Sequence, residues 1–89
     1  GLIGAARSLT REVGSRGITV NVITPGFIDT DMTAGLDEAT KSAILKTIPA
    51  ARYGQPDEVA QTVEFLVSNS AAYISGAVIP VDGGLGMGH

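Results

Sequence analysis

The segment Asn21-Val-Ile-Thr-Pro-Gly-Phe-Ile-Asp-Thr-Asp-Met-Thr33 constrains the fold more than any other part of the chain. An apolar, largely β-branched run through Ile18, Val20, Val22 and Ile23 stops abruptly at Pro25-Gly26. Proline lacks a ladder donor and glycine reaches conformations closed to other residues, so the pair ends a strand. Beyond it stand a bulky pair, Phe27-Ile28, and a polar stretch around Thr30. That order describes a strand handing its C-terminal end to a crevice, which is where open α/β sheets bind ligands.

The flanking sequence supplies the rest of the pattern. Leu2, Ala6, Leu9 and Val13 recur at helical spacing, and Gly14 and Gly17 bracket a polar turn, so residues 2–14 read as a helix. Residues 18–23 read as the strand, with Ile18, Val20 and Val22 on one face. Residues 24–36 read as a loop, long enough to be functional or disordered. Asp37 to Ile48 is a plausible helix with acids at its positive end and only a thin stripe of Ala43, Ile44 and Ile48. Pro49 stops it. Gln55-Pro56-Asp57-Glu58 is a helix start, and Val59, Val63, Leu66 and Val67 form the stripe expected to be buried. Residues 77–81 read as a short strand, with Pro80 marking an edge or an end. Asp82-Gly83-Gly84 is a turn before a glycine-rich tail. Strand 18–23, helix 57–68 and strand 77–81 together make a parallel βαβ crossover, expected to be right-handed.

Composition narrows the function classes. Hydrophobic residues make up 44% and charged residues 17%, a globular balance rather than a disordered one. Aromatics are only 4%, so the core is aliphatic. A net charge of −3 provides no basic field, and no nucleic-acid partner is expected. There is no cysteine, hence no disulfide and no thiolate metal site. The single histidine, His89, is the last residue, and neither a metal site nor a histidine-dependent triad is expected. No apolar run approaches the ~20 residues of a membrane span. Gly1 opens inside an amphipathic pattern with no Met and no charged start, and is read as a cut end.

The strand count agrees with an incomplete unit. Parallel sheets are normally covered on both faces, and two strands leave little to cover. Ordering ~90 residues costs ~90–180 kcal/mol of backbone entropy, which a thin core struggles to offset. Residues 1–89 are read as an incomplete C-terminal segment of a single α/β domain with a doubly wound parallel sheet.

Asn21-x-x-x-Pro25-Gly26, then Thr30-Asp31-Met32, then Asp82-Gly83-Gly84, resembles the C-terminal part of a short-chain dehydrogenase/reductase. Gly1-Leu-Ile-Gly4, Ser15-Arg-Gly-Ile-Thr-Val-Asn21 and the run Pro25 to Thr33 resemble the 3-oxoacyl-[acyl-carrier-protein] reductases of type II fatty acid synthesis. The tail from Tyr73 to Gly84, with Gly86-Met-Gly-His89, is similar to the mycobacterial type that serves fatty acid and mycolate elongation. The likeness covers the whole chain. It implies a Rossmann-type fold, NADPH as cofactor, a β-ketoacyl thioester on acyl carrier protein or coenzyme A as substrate, a cytoplasmic location and a homotetramer. The family's glycine-rich cofactor turn and its catalytic Asn, Ser and Tyr-x-x-x-Lys are not in this sequence, so no catalytic residue is expected here. Tyr53 and Tyr73 lack a Lys four residues later.

By this resemblance Pro25-Gly26 packs against one face of the nicotinamide; the plain alternative is an ordinary strand-end turn. The backbone of Ile28 holds the carboxamide, or its side chain is a core contact. Thr30 offers its hydroxyl to the carboxamide or the pyrophosphate, or simply caps a helix. Arg16 meets the acidic carrier protein, or is an exposed charge paired with Glu12. Asp82 and His89 are read as turn and tail without chemistry. Two other functions stay open: a different short-chain alcohol or ketone reductase, and an inactive chain that acts only by associating with partner subunits.

Overall fold

The helical spacing of Leu2, Ala6, Leu9 and Val13 builds α1 (Leu2–Val13) in the computed structural model, which describes residues 1–87. The tail position read at His89 lies outside the described residues. Gly14 does not stop the chain by itself. It keeps right-handed angles, and the backbone tightens into a 3-10 turn, Gly14–Arg16. The turn ends at Gly17, whose φ of 74° is left-handed and favours glycine.

Two strands follow the expected order, β1 (Val22–Pro25) and β2 (Val78–Val81), and pair in one two-stranded sheet. The Val22 N–H donates to the Ala77 carbonyl at 2.9 Å and the Gly26 N–H to the Val81 carbonyl at 3.1 Å. The partners advance together along both strands, so the pairing is parallel, and the chain is of the α/β class. The first strand was expected over residues 18–23 and instead runs from Val22 to Pro25. The reason lies opposite it. Gly76, at a φ of 73°, is a turn rather than a strand, so residues 18–21 have no regular ladder to join. Side chains take over there. Asn21 donates from Nδ2 to the Ile74 carbonyl at 3.2 Å and accepts the Ala77 N–H on Oδ1 at 3.1 Å. Ser75 Oγ accepts the Val20 N–H at 3.1 Å.

The expected loop 24–36 holds one extra helical turn, α2 (Asp31–Ala34). Asp37 caps α3 (Glu38–Thr47) by accepting the Thr40 N–H at 2.7 Å. α4 (Pro56–Leu66) starts at the expected proline.

The described chain divides into two compact units. One comprises residues 1–23 and 61–79, the other residues 24–60 and those from 80 onward. The first holds α1, the Asn21 clamp and the end of α4, with Val22 and Ala71 buried. The second holds α2, α3, the turn after α3 and the Asp82 turn, with Ile48 buried. The stripe on α4 was expected to be buried, but Val63 and Val67 are exposed, because nothing among the described residues of that unit covers them.

Candidate functional site

Pro25, Gly26, Ile28 and Thr30 stand in one run within the second unit, directly after the pairing of β1 with β2. Pro25 is exposed at the strand end and Gly26 is half-buried. A Cβ at Gly26 would lie 2.7 Å from Asp82 Cβ and 2.9 Å from Asp82 Cα. The glycine is therefore required by the close approach of the turn that follows β2. That turn is built by one carboxylate: Asp82 Oδ1 accepts the Gly84 N–H and Oδ2 the Gly86 N–H, both at 3.0 Å. Gly83 and Gly84 supply the positive φ angles, 63° and 93°. Asp82, read from sequence as a simple turn, is thus also the surface against which Gly26 rests.

Ile28 forms an isolated parallel bridge with Gly54. The hydrogen bonds of the bridge are made by its neighbours. The Gly54 N–H donates to the Phe27 carbonyl at 3.0 Å and the Asp29 N–H to the Gly54 carbonyl at 2.8 Å. In such a bridge the central residue's own N–H and C=O point away from the partner strand. One donor and one acceptor of Ile28 are thereby presented together on the far side of the segment. Its side chain turns toward Gly54, where a Cβ would lie 3.0 Å from Ile28 Cδ1. The side chain of Ile28 thus packs beside Gly54, while its N–H and C=O face away from the bridge.

Thr30 is exposed and precedes α2 as its N-cap, so the capping alternative is realised. Its N–H donates to Thr33 Oγ1 at 2.9 Å, and Thr33 Oγ1 donates to the Thr30 carbonyl at 2.8 Å. These bonds fix the backbone at the edge of the run.

Arg16 belongs to the first unit, exposed on the 3-10 turn. It does not pair with Glu12; the ion pairs among the described residues are Lys41–Glu38 and Arg52–Glu58. Among the described residues no group of three or more His, Cys, Asp or Glu side chains converges on a metal position. No described helix is long and apolar enough to cross a membrane. Tyr73 is fully exposed. Tyr53 instead packs edge-on to Phe27, with ring centroids 6.5 Å apart, and its hydroxyl is buried without a hydrogen-bond partner among the described residues.

The turn carrying Tyr53 and Gly54 holds a pair that sequence reasoning missed. Arg52 Nη1 donates to Glu58 Oε1 at 2.7 Å and Nη2 to Oε2 at 2.9 Å, a two-pronged pair closing residues 52–58 into a loop. Glu58 Oε1 also accepts the Gln55 N–H at 2.9 Å, and Arg52 Nη1 reaches the Tyr53 carbonyl at 3.1 Å. The guanidinium first, and then the Gln55 N–H, hold the Glu58 carboxyl down at about 2. The hydrogen bonds to Glu58, and then its negative charge, push Arg52 up. The signal was present in outline, as an acid three residues after Gln55 in a capping box. The arginine partner, six residues back across a turn, follows no helical spacing.

The family model described as Enoyl-(Acyl carrier protein) reductase matches residues 1–86. The chain is 60% identical, over all 89 of its residues, to the 3-oxoacyl-[acyl-carrier-protein] reductase MabA of Mycobacterium tuberculosis (strain ATCC 25618 / H37Rv), and covers 36% of that protein. To the 3-oxoacyl-[acyl-carrier-protein] reductase FabG of Pseudomonas aeruginosa it is 58% identical over 87 residues, which is 98% of this chain and 35% of that protein. To the FabG of Escherichia coli (strain K12) it is 54% identical over 87 residues, 98% of this chain and 36% of that protein. The chain spans about a third of the length of the curated relatives it matches.

Proposed function

The chain belongs to the short-chain dehydrogenase/reductase family, and we propose that it is the C-terminal portion of an NADPH-dependent 3-oxoacyl-[acyl-carrier-protein] reductase. Identity of 60% along the whole chain to a reductase of that name carries this reading. The reaction is hydride addition to C3 of a β-ketoacyl thioester with protonation of the ketone oxygen, giving a 3-hydroxyacyl thioester. When bound, NADPH supplies the hydride.

The residues after β1 suit the nicotinamide end of that cofactor. A carboxamide offers one acceptor and one N–H donor group on the same edge, and Ile28 presents the complementary N–H and C=O free of its bridge to Gly54. Pro25-Gly26 offers a surface without a protruding polar side chain. Thr30, exposed two residues beyond Ile28, brings a hydroxyl for the carboxamide or a phosphate. α2 and α3, within residues 30–52, form the substrate flap. The proton donor is assigned to no residue of this chain. Exposed Val63 and Phe65 of α4, with Val67 just beyond it, support subunit contacts, and the proposal includes a cytoplasmic homotetramer.

The test is NADPH oxidation by the complete protein with an acetoacetyl thioester. Turnover is expected. Binding of NADPH with turnover only of simple ketones favours another short-chain reductase, and failure to bind NADPH overturns the reading. Arg16 is proposed as a rim contact for the acidic carrier protein, and its exposure without an ion partner among the described residues supports this. Arg16→Glu in the complete protein should slow the carrier-linked substrate and spare a small thioester, less so as salt rises, because screening shortens to about 8 Å near physiological ionic strength. An equal loss with both substrates removes Arg16 from carrier docking.

A further inference from the structure

The geometry points to Arg52 and Glu58 as a positioning pair: by closing residues 52–58 they hold Gly54 against residues 27–29, and so aim the Ile28 N–H and C=O at the carboxamide. This inference rests on the NADPH reading above and adds residues that touch neither cofactor nor substrate.

Each link is a contact present in the structure. The forked pair joins Arg52 to Glu58 at 2.7 and 2.9 Å. Glu58 also receives the Gln55 N–H and Arg52 reaches the Tyr53 carbonyl, so both flanks of Gly54 are tied to the same pair. Gly54 then makes the two bonds of the bridge, to the Phe27 carbonyl and from the Asp29 N–H. The phenyl ring of Phe27 and the ring of Tyr53 meet edge to face across the same bridge. A lone bridge of two hydrogen bonds has no neighbouring ladder to hold it in register, so it depends on how rigidly Gly54 is presented. A bidentate pair restricts both partners more than a single contact does. Exposed ion pairs contribute little to global stability, and Arg52 and Glu58 are 58% and 38% exposed, so placement of the turn is the role that remains.

Three substitutions in the complete protein separate the links. Glu58→Gln keeps an acceptor for the Gln55 N–H and removes the charge. Arg52→Lys keeps the charge and removes the fork. Arg52→Gln removes both charge and fork. Amide hydrogen exchange at Gly54 and Asp29, measured without cofactor, should quicken in Glu58→Gln and Arg52→Gln, and by less in Arg52→Lys. NADPH affinity should fall about tenfold in Arg52→Gln, roughly the worth of one well-placed hydrogen bond. Affinity for adenosine 2′,5′-bisphosphate, which lacks the nicotinamide, should not change. Unchanged exchange in all three variants overturns the inference, as does faster exchange with unaltered NADPH affinity. Equal losses for NADPH and the bisphosphate assign the pair to general folding and overturn it too. If the unsubstituted protein binds the bisphosphate but not NADPH, the cofactor reading fails instead. Glu58→Gln and Arg52→Lys decide the matter should Arg52→Gln not fold.

Discussion

Gly26 illustrates how a residue reached for one reason is held for another. From sequence its value is close approach to a cofactor ring, whereas the close approach in the structure is to Asp82. A branched side chain there meets Asp82 Cβ and its Cα, part of the main chain, and cannot simply rotate a flexible tip aside. Gly26→Val should therefore destabilise the fold first, by the ~1–3 kcal/mol typical of overpacking, and so lower the melting temperature, with any loss of NADPH affinity following from the shifted turn. A variant of unchanged melting temperature and weakened NADPH binding would restore the simple ring-clearance account. Glu58 gives a pH-dependent counterpart. Its carboxyl sits at about 2 in the fold against an ordinary 4.5, so the unfolded chain takes up its proton more readily. The contribution of the pair is then complete above the ordinary value and is lost as pH falls through that window. The gap in melting temperature between the native protein and Glu58→Gln should be small, because the pair is solvent-exposed, but present at neutral pH, and should close between about pH 4.5 and 2. A gap of constant size down to pH 2 would show that the charge is not what Glu58 contributes.

Elements with signals in their own residues were legible, and those defined by partners were not. α1, α3 and α4 fall within a residue or two of their expected bounds, since apolar period, acidic caps and Pro56 are local. β1 is displaced toward Pro25 because a strand exists only where its neighbour is also extended, and that information lies some fifty residues away, at Gly76. α2 was missed because the Thr33 hydroxyl closes its first turn onto the Thr30 backbone, without the glutamate that marks a capping box in sequence. Asn21 is the most informative residue at this scale, for its amide replaces the missing ladder. Asn21→Ala strands the Ile74 carbonyl and the Ala77 N–H, and should cost about 1 kcal/mol for each bond lost. Asn21→Asp keeps only the acceptor and sets a carboxylate against the Ile74 carbonyl, so at neutral pH it should destabilise at least as much. Chemical denaturation of both variants checks this, and an aspartate variant as stable as the native protein would exclude the two-sided clamp.

Burial across the whole molecule departs furthest from what the pattern suggests. Period reveals which side of a helix is apolar but not what lies over it, and here the apolar sides are open. Leu2, Leu9, Val63, Phe65 and Val67 are all exposed, and in the first unit Leu2 and Leu9 line an open groove with Val20 and Val22. Against them, the buried hydrophobic residues among those described are Val22, Ile48 and Ala71. Ordering each residue costs about 1–2 kcal/mol of backbone entropy, and burial at about 25 cal/mol per Å² is the main offset. So small a buried set gives little cooperativity. The polypeptide of 89 residues on its own should accordingly unfold over a broad range of denaturant, bind a hydrophobic dye before it unfolds, and leave NADPH unoxidised in the presence of an acetoacetyl thioester. Calorimetry, dye fluorescence and the oxidation assay read these three in turn. A single sharp transition with no dye binding would mean that the apolar faces are covered in solution, for instance by a second copy of the chain, and a concentration series in the calorimeter would then show a melting temperature that rises with protein concentration.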